Sequence, residues 1–181
     1  ATSGLTDNTI SQSITGLPNG TYVFGAYIGA SVQAAEENRE AVTGVTLFAN
    51  DASVPVATNN PDAGTKWGHT AKFNVAVNVV DGTLKVGLKA EATTANFLIW
   101  DNATLYYFGD MDAAAALDEM AKIDMAATVA IADTCVAYKM QVDTLAYLNE
   151  QIAAGKALAG AADAYQVDED VYWAIRLANK S

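Results

Sequence analysis

The stretch TISQSITGLPNGTYVFGAYIGA, residues Thr9–Ala30, decides how the first half of this 181-residue chain folds. Its apolar residues recur at every second position, the period of a strand half-buried on a sheet face and not that of a helix. Ile10, Gln12 and Ile14 share one side of the first run, and Thr9, Ser11 and Ser13 share the other. Gly16-Leu17-Pro18-Asn19-Gly20 interrupts the pattern with turn-forming residues, the Asn-Gly pair accepting positive φ. In the second run Tyr22, Phe24, Ala26 and Ile28 line one face, while Tyr27 joins the smaller Val23, Gly25 and Gly29 on the other. The simplest reading of two such runs around a tight turn is a β-hairpin.

The same period continues outward. Val45 and Leu47 mark a third strand, and Phe73, Val75, Val77 and Val79 a fourth. Asp81-Gly82 turns the chain into a fifth strand with Leu84, Val86 and Leu88 inward, and the last runs from Phe97 to Phe108 with Phe97, Ile99, Asp101, Ala103 and Leu105 on one face. Short strands punctuated by turns, with no helices between them, predict an antiparallel β-sandwich. After Gly109 the composition changes: the first 109 residues hold eleven of the 13 glycines and all 3 prolines, whereas residues 110–181 hold twenty alanines and no proline. There Leu117, Met120, Ile123, Ala127, Val129, Val136, Met140, Leu145, Leu148 and Ile152 recur at helical spacings. Asp110 and Asp112 suit a helix N-terminus, and Gly155 and Gly160 its end. Unbroken, this helix would extend roughly 60 Å; a break at Thr128–Thr134, where β-branched residues gather and Asp133 can cap, makes it a helical hairpin. Asp168-Glu169-Asp170 opens a last amphipathic helix. The expected organisation is a sandwich over 1–109 followed by a small all-α segment over 110–181.

Composition narrows the function. With 51% hydrophobic and 17% charged residues the chain can build a packed interior. A net charge of −11 repels the phosphates of nucleic acid. No apolar run reaches the 18 or more residues of a membrane-spanning helix. Cys135, alone in the chain, leaves no internal disulfide and no cysteine-based zinc site, and within the helical apolar pattern it reads as an inert buried thiol. His69 is the single histidine, in a loop without metal-ligand or triad spacing. Neither a GxxxxGK[ST] nor a GxGxxG motif occurs. Glycoside hydrolysis needs only two carboxylates, but the helical spacing of most acidic residues reads as a solvated face. These observations point away from an enzyme. A strand that starts with no earlier partner, in a chain that lacks an initiator Met, predicts a piece of a longer polypeptide.

Ile10-Ser11-Gln12-Ser13-Ile14-Thr15-Gly16-Leu17-Pro18-Asn19-Gly20-Thr21-Tyr22 resembles a signature of the sugar-binding sandwiches of the galactose-binding-domain-like fold. Ala95-Asn96-Phe97-Leu98-Ile99-Trp100-Asp101-Asn102-Ala103-Thr104-Leu105-Tyr106-Tyr107 is similar to the closing strand of the same domains. The resemblance covers about 100 residues, its two signatures standing at opposite ends in the expected order. It implies a jelly-roll sandwich that binds a poly- or oligosaccharide without catalysis. It also implies an origin in an exported polysaccharide-utilisation protein of Bacteroidetes, in the periplasm, on the outer-membrane surface or outside the cell, followed by an Ala-rich helical region as spacer or docking element. Family members often have one or two further strands at the start that contribute to a structural calcium site. This sequence departs from the family there, so no cofactor is assigned and any metal ligands are unknown. A different class of reading is an adhesin-like or scaffold piece whose helices mediate protein assembly.

Sugar recognition requires an aromatic face for pyranose C–H bonds and planar polar groups that meet hydroxyls in pairs, carried on loops. Trp67, in the polar segment Asn59–His69, is the aromatic candidate. Gln33–Glu40 supplies the densest polar cluster, from which Glu37 and Arg39 are the candidates. Asn96 stands just before the last strand, where family members often place a ligand-facing amide. Against these stand plainer roles: Trp67 covering an end of the sandwich, Glu37 and Arg39 merely solvated, and Asn96 bonding backbone. Asp101 shares parity with Phe97, Ile99 and Leu105 and is expected to be structural, either buried and answered by backbone amides or an ion, or lying near a polar end of the strand, with a metal ligand as the alternative role.

Overall fold

The structure, a computed structural model, describes residues 5–31, 42–56, 70–136 and 142–159. The chain divides into two compact units, Ala1–Ala116 and Leu117–Ser181. The described part of the first unit holds seven strands: β1 (Asn8–Thr15), β2 (Gly20–Ser31), β3 (Val45–Ala49), β4 (Ala52–Pro55), β5 (Ala71–Val79), β6 (Thr83–Ala90) and β7 (Phe97–Tyr107). They form two sheets, one ordered β1-β6-β3-β4 and the other β5-β2-β7, with every pairing antiparallel.

Strand periodicity places the side chains as expected. Tyr22, Phe24, Ala26 and Ile28 of β2, Val75, Val77 and Val79 of β5, Leu47 of β3, and Leu84, Val86 and Leu88 of β6 are buried in one hydrophobic cluster. That cluster draws on both sheets, so the unit is sandwich-like. Strand β2 lies between β5 and β7, and Val23 on its opposite face is also fully buried.

Two pairings differ from the sequence expectation. Residues 9–30 are not a hairpin, because β1 pairs with β6 and β2 with β5 and β7. The connection Gly16–Asn19 carries the chain from one sheet to the other. It is held by Leu17 N–H donating to Gly82 O (3.1 Å) and by the Tyr22 hydroxyl donating to Pro18 O (2.9 Å). Two consecutive alternating runs specify which side chains point inward but not which strand supplies the ladder bonds. The second correction concerns β7. Asp101 lies opposite Tyr27 and Thr104 opposite Gly25, so Asn102 and Ala103 face the single residue Ala26 in a β-bulge. The extra residue flips the parity: Asp101 stands level with outward Tyr27, while Leu105 stands level with buried Phe24. Asp101 is exposed, and its Oδ1 accepts the Asn102 N–H at 2.7 Å, bracing Asn102 at φ +50°. The sequence reading also missed β4, whose four residues are too short for alternation to register.

Beyond β7, α1 (Ala113–Cys135) and α2 (Val142–Ala159) form the described helices. Asp112 caps α1 by accepting the Ala115 N–H at 3.0 Å. The first helix passes through Thr128–Thr134, whose terminal hydroxyls bond back to the carbonyls of Asp124 (2.9 Å) and Ile131 (2.6 Å) and so tolerate helical geometry. It ends at Cys135, and Gly155 lies inside α2 and not at its end. Met125, Val129, Ala132, Leu148 and Ile152 form the core of this unit; Ile123, expected inward, is exposed. Lys156 pairs with Asp133 at 3.0 Å. Cys135 is half-buried against that core and not fully enclosed. The helix expected after Asp168 lies outside the described residues.

Candidate functional site

The tight connections Gly16–Asn19 and Val80–Gly82 occupy one end of the sandwich, and the connections β2–β3, β4–β5 and β6–β7 leave from the other. At that second end β2 closes and β7 opens with Ser31 opposite Phe97, and β5 opens at Ala71 opposite Ile28. In the other sheet β3 opens and β6 closes there with Val45 opposite Ala90, and β4 closes with Pro55 opposite Thr46. Segment 32–41, which contains Glu37 and Arg39, and segment 57–69, which contains Trp67, are therefore attached to the same end as the β6–β7 connection with Asn96. Glu37, Arg39 and Trp67 themselves lie outside the described residues, as does His69.

The described framework of this end is stitched by hydrogen bonds between main-chain groups and from short polar side chains to the main chain. Gly44 O accepts from Glu91 N–H at 2.8 Å, Thr43 O accepts from the Thr93 hydroxyl at 2.7 Å, and Thr94 Oγ1 accepts from Thr43 N–H at 3.0 Å. Asp7 Oδ1 accepts from Ala92 N–H at 2.8 Å, holding Ala92 at φ +46°. Gly44, at φ +74°, is required: a Cβ there would strike Glu91 O and come within 2.7 Å of Thr93 Cα. The consequence is a fixed stem at this end of the sandwich. Asn96 is half-buried at the first step into β7, directly after fully buried Ala95, whose carbonyl accepts from Leu5 N–H at 2.9 Å. Among the described residues no group of three or more His, Cys, Asp or Glu is placed to hold a metal ion. No described helix is long and apolar enough to cross a membrane.

Near the opposite end, burial raises the Tyr22 phenol above its ordinary pKa, and the neighbouring Tyr107 adds to the effect. The two rings sit 4.9 Å apart and tilted by 37°. Tyr107 also donates its hydroxyl to Asn19 O at 3.0 Å, so the two sequence signatures, distant along the chain, lock together across the β2–β7 ladder.

No protein-family model matches the chain, and no curated protein matches it. A solved structure with a similar fold trace is described as "EclA C-terminal domain; sugar-binding protein", at 16% sequence identity and a TM-score of 0.40. The match spans 54% of this chain and 65% of that one, less than two thirds of its length.

Proposed function

We propose that the sandwich is a non-catalytic carbohydrate-binding module of the galactose-binding-domain-like, jelly-roll type, in a larger exported protein, with the helical unit as spacer or docking element. The observation that supports this reading most directly is topological. Strand ends in both sheets attach segments 32–41 and 57–69 to the end where Asn96 enters β7. In this reading Trp67 supplies the stacking face, and Glu37, Arg39 and Asn96 supply polar groups for paired hydroxyls. Affinity is weak, because a short sugar offers few atoms to contact. Glycan-array screening followed by calorimetry tests it. Binding that Trp67→Ala abolishes supports the proposal, and silence across plant, host and microbial glycans overturns it.

A second reading, protein assembly through the helices, is favoured by Ile131 and Val142, which are 64% and 82% exposed on the helical unit. A stable dimer in light scattering, disrupted by Ile131→Glu, supports it, and a strict monomer refutes it.

A further inference from the structure

The end of the sandwich opposite Asn96 contains a cleft of about 500 Å³, within the range of small-molecule sites. Three separate parts of the chain wall it: Asn19 to Thr21 at the start of β2, Asn78 to Val80 at the end of β5, and Asp110 to Ala113 leading into α1. The walls are preformed by backbone bonds, Thr21 N–H to Gly109 O and Phe108 N–H to Thr21 O, both 2.8 Å, and Met111 N–H to Phe108 O at 3.3 Å. Tyr107, 50% exposed, sets its ring against the lining residue Gly20.

The lining chemistry selects a ligand class. Asn19 and Asn78 bring carboxamides that both donate and accept, and Asp110 brings a carboxylate that only accepts. Asp112 is committed to capping α1. Met111 and Val80, 37% and 72% exposed, add apolar surface. None of the described lining residues is Lys, Arg or His, so phosphate, sulfate or a uronic acid finds no counter-charge and meets Asp110 and Asp112 instead. Amides and a carboxylate beside apolar surface are the groups that bind a neutral polyhydroxylated ring, hydroxyls to one side and C–H bonds to the other.

We infer that this cleft is a second saccharide subsite, taking an uncharged mono- or disaccharide whose hydroxyls meet Asn19, Asn78 and Asp110 while its C–H face lies on Met111 and Val80. The ligand class rests on the carbohydrate-binding reading; the place and the residues do not.

The test is titration of the ¹⁵N-labelled full chain with cellobiose, lactose and N,N′-diacetylchitobiose, and separately with digalacturonate. At least one neutral disaccharide shifts the amides of Thr21, Val80 and Met111, whereas digalacturonate leaves them in place. Asn78→Ala, at an exposed position with little bearing on folding, weakens that binding about three- to tenfold, the loss expected for one or two hydrogen bonds. No shift at the cleft with any neutral sugar, an equal response to digalacturonate, or unchanged affinity in Asn78→Ala overturns the inference. Shifts of the Thr94 and Asn96 amides report the other end separately. Movement there alone overturns the subsite and leaves the proposed function standing; movement at the cleft alone supports the subsite and removes the loop end as the site.

Discussion

Replacing Gly20 by Ala tests how the Asn-Gly step sets the geometry of this end of the sandwich. Gly20 has φ +140°, a conformation open essentially to glycine, and forcing Ala into it costs about 1–3 kcal/mol. A Cβ would also come within 2.6 Å of Gly109 O and 2.8 Å of Tyr107 Cε2. The oxygen is main chain and accepts from Thr21 N–H, so it cannot swing aside without weakening that bond, at about 1 kcal/mol more. The expected loss is about 2–4 kcal/mol. Gly16→Ala is the matched control: its φ is +76°, but nothing lies within 4 Å of the added methyl, leaving only left-handed strain of about 1–2 kcal/mol. Hydrogen exchange of the Val23 and Phe24 amides, in the central strand of its sheet, reports the stability of the sandwich without the helices. If the two variants lose stability equally to within about 0.5 kcal/mol, the collision with Gly109 is not a determinant and the reasoning fails.

Further expectations can be checked on the same protein. Because burial and Tyr107 raise the Tyr22 pKa, the folded state keeps the phenolic proton to higher pH than the unfolded chain. This contribution is complete below the ordinary value of 10.0 and is lost as pH rises through the folded value, so sandwich stability falls above about pH 10, and Tyr22→Phe flattens that fall in urea titrations at stepped pH. Lys122 acts with the same sign in the helical unit, where hydrogen bonds to Asp118 and Glu119 raise its pKa: helical circular dichroism weakens as pH passes 10.5, and less so in Lys122→Gln. Gly87→Ala drives a Cβ into Ile10 O and within 2.9 Å of Ser11 Cα, so β1 loses exchange protection before β2 does; equal loss in both strands contradicts this.

What the sequence disclosed follows the reach of each signal. Alternation acts over two residues, so it placed Leu84, Val86 and Leu88 inward correctly and the six longer strands in order. Pairing is non-local, and nothing in Thr9–Tyr22 distinguishes a hairpin from a crossing between sheets. In the structure β1, with Thr9, Ser11 and Ser13 on one side, is an edge strand that leaves Ile10 53% exposed on the other. The bulge in β7 had its signal in Asp101-Asn102, a pair whose first side chain readily caps the next N–H, but its effect on parity appears only once β2 is alongside. Of the four site residues read from the sequence, the structure describes Asn96 alone. The cleft was invisible beforehand because Asn19, Asn78 and Asp110 are separated by scores of residues and meet only through the β2–β5 and β2–β7 ladders.

The edges and faces of the sandwich bear on where the proposed recognition would fall. An unpaired edge invites another strand unless something blunts it. Strand β4 is four residues long and ends in Pro55, β5 places Lys72 near its start, and β7 is bent by its bulge, which keeps exposed Ile99, Trp100, Tyr106 and Tyr107 from forming one straight ladder. The inner faces are consumed by the shared core, and the far side of β2 is buried at Val23. Strand addition is thus disfavoured at the β4, β5 and β7 edges. What stays accessible and preorganised is the stitched stem around Gly44, Thr94 and Asn96 at one end and the braced cleft around Asn19, Asn78 and Asp110 at the other. Both are held by hydrogen bonds to the backbone, the stem through threonine hydroxyls as well as main-chain groups, so a ligand at either end need not bear the entropy of ordering those walls.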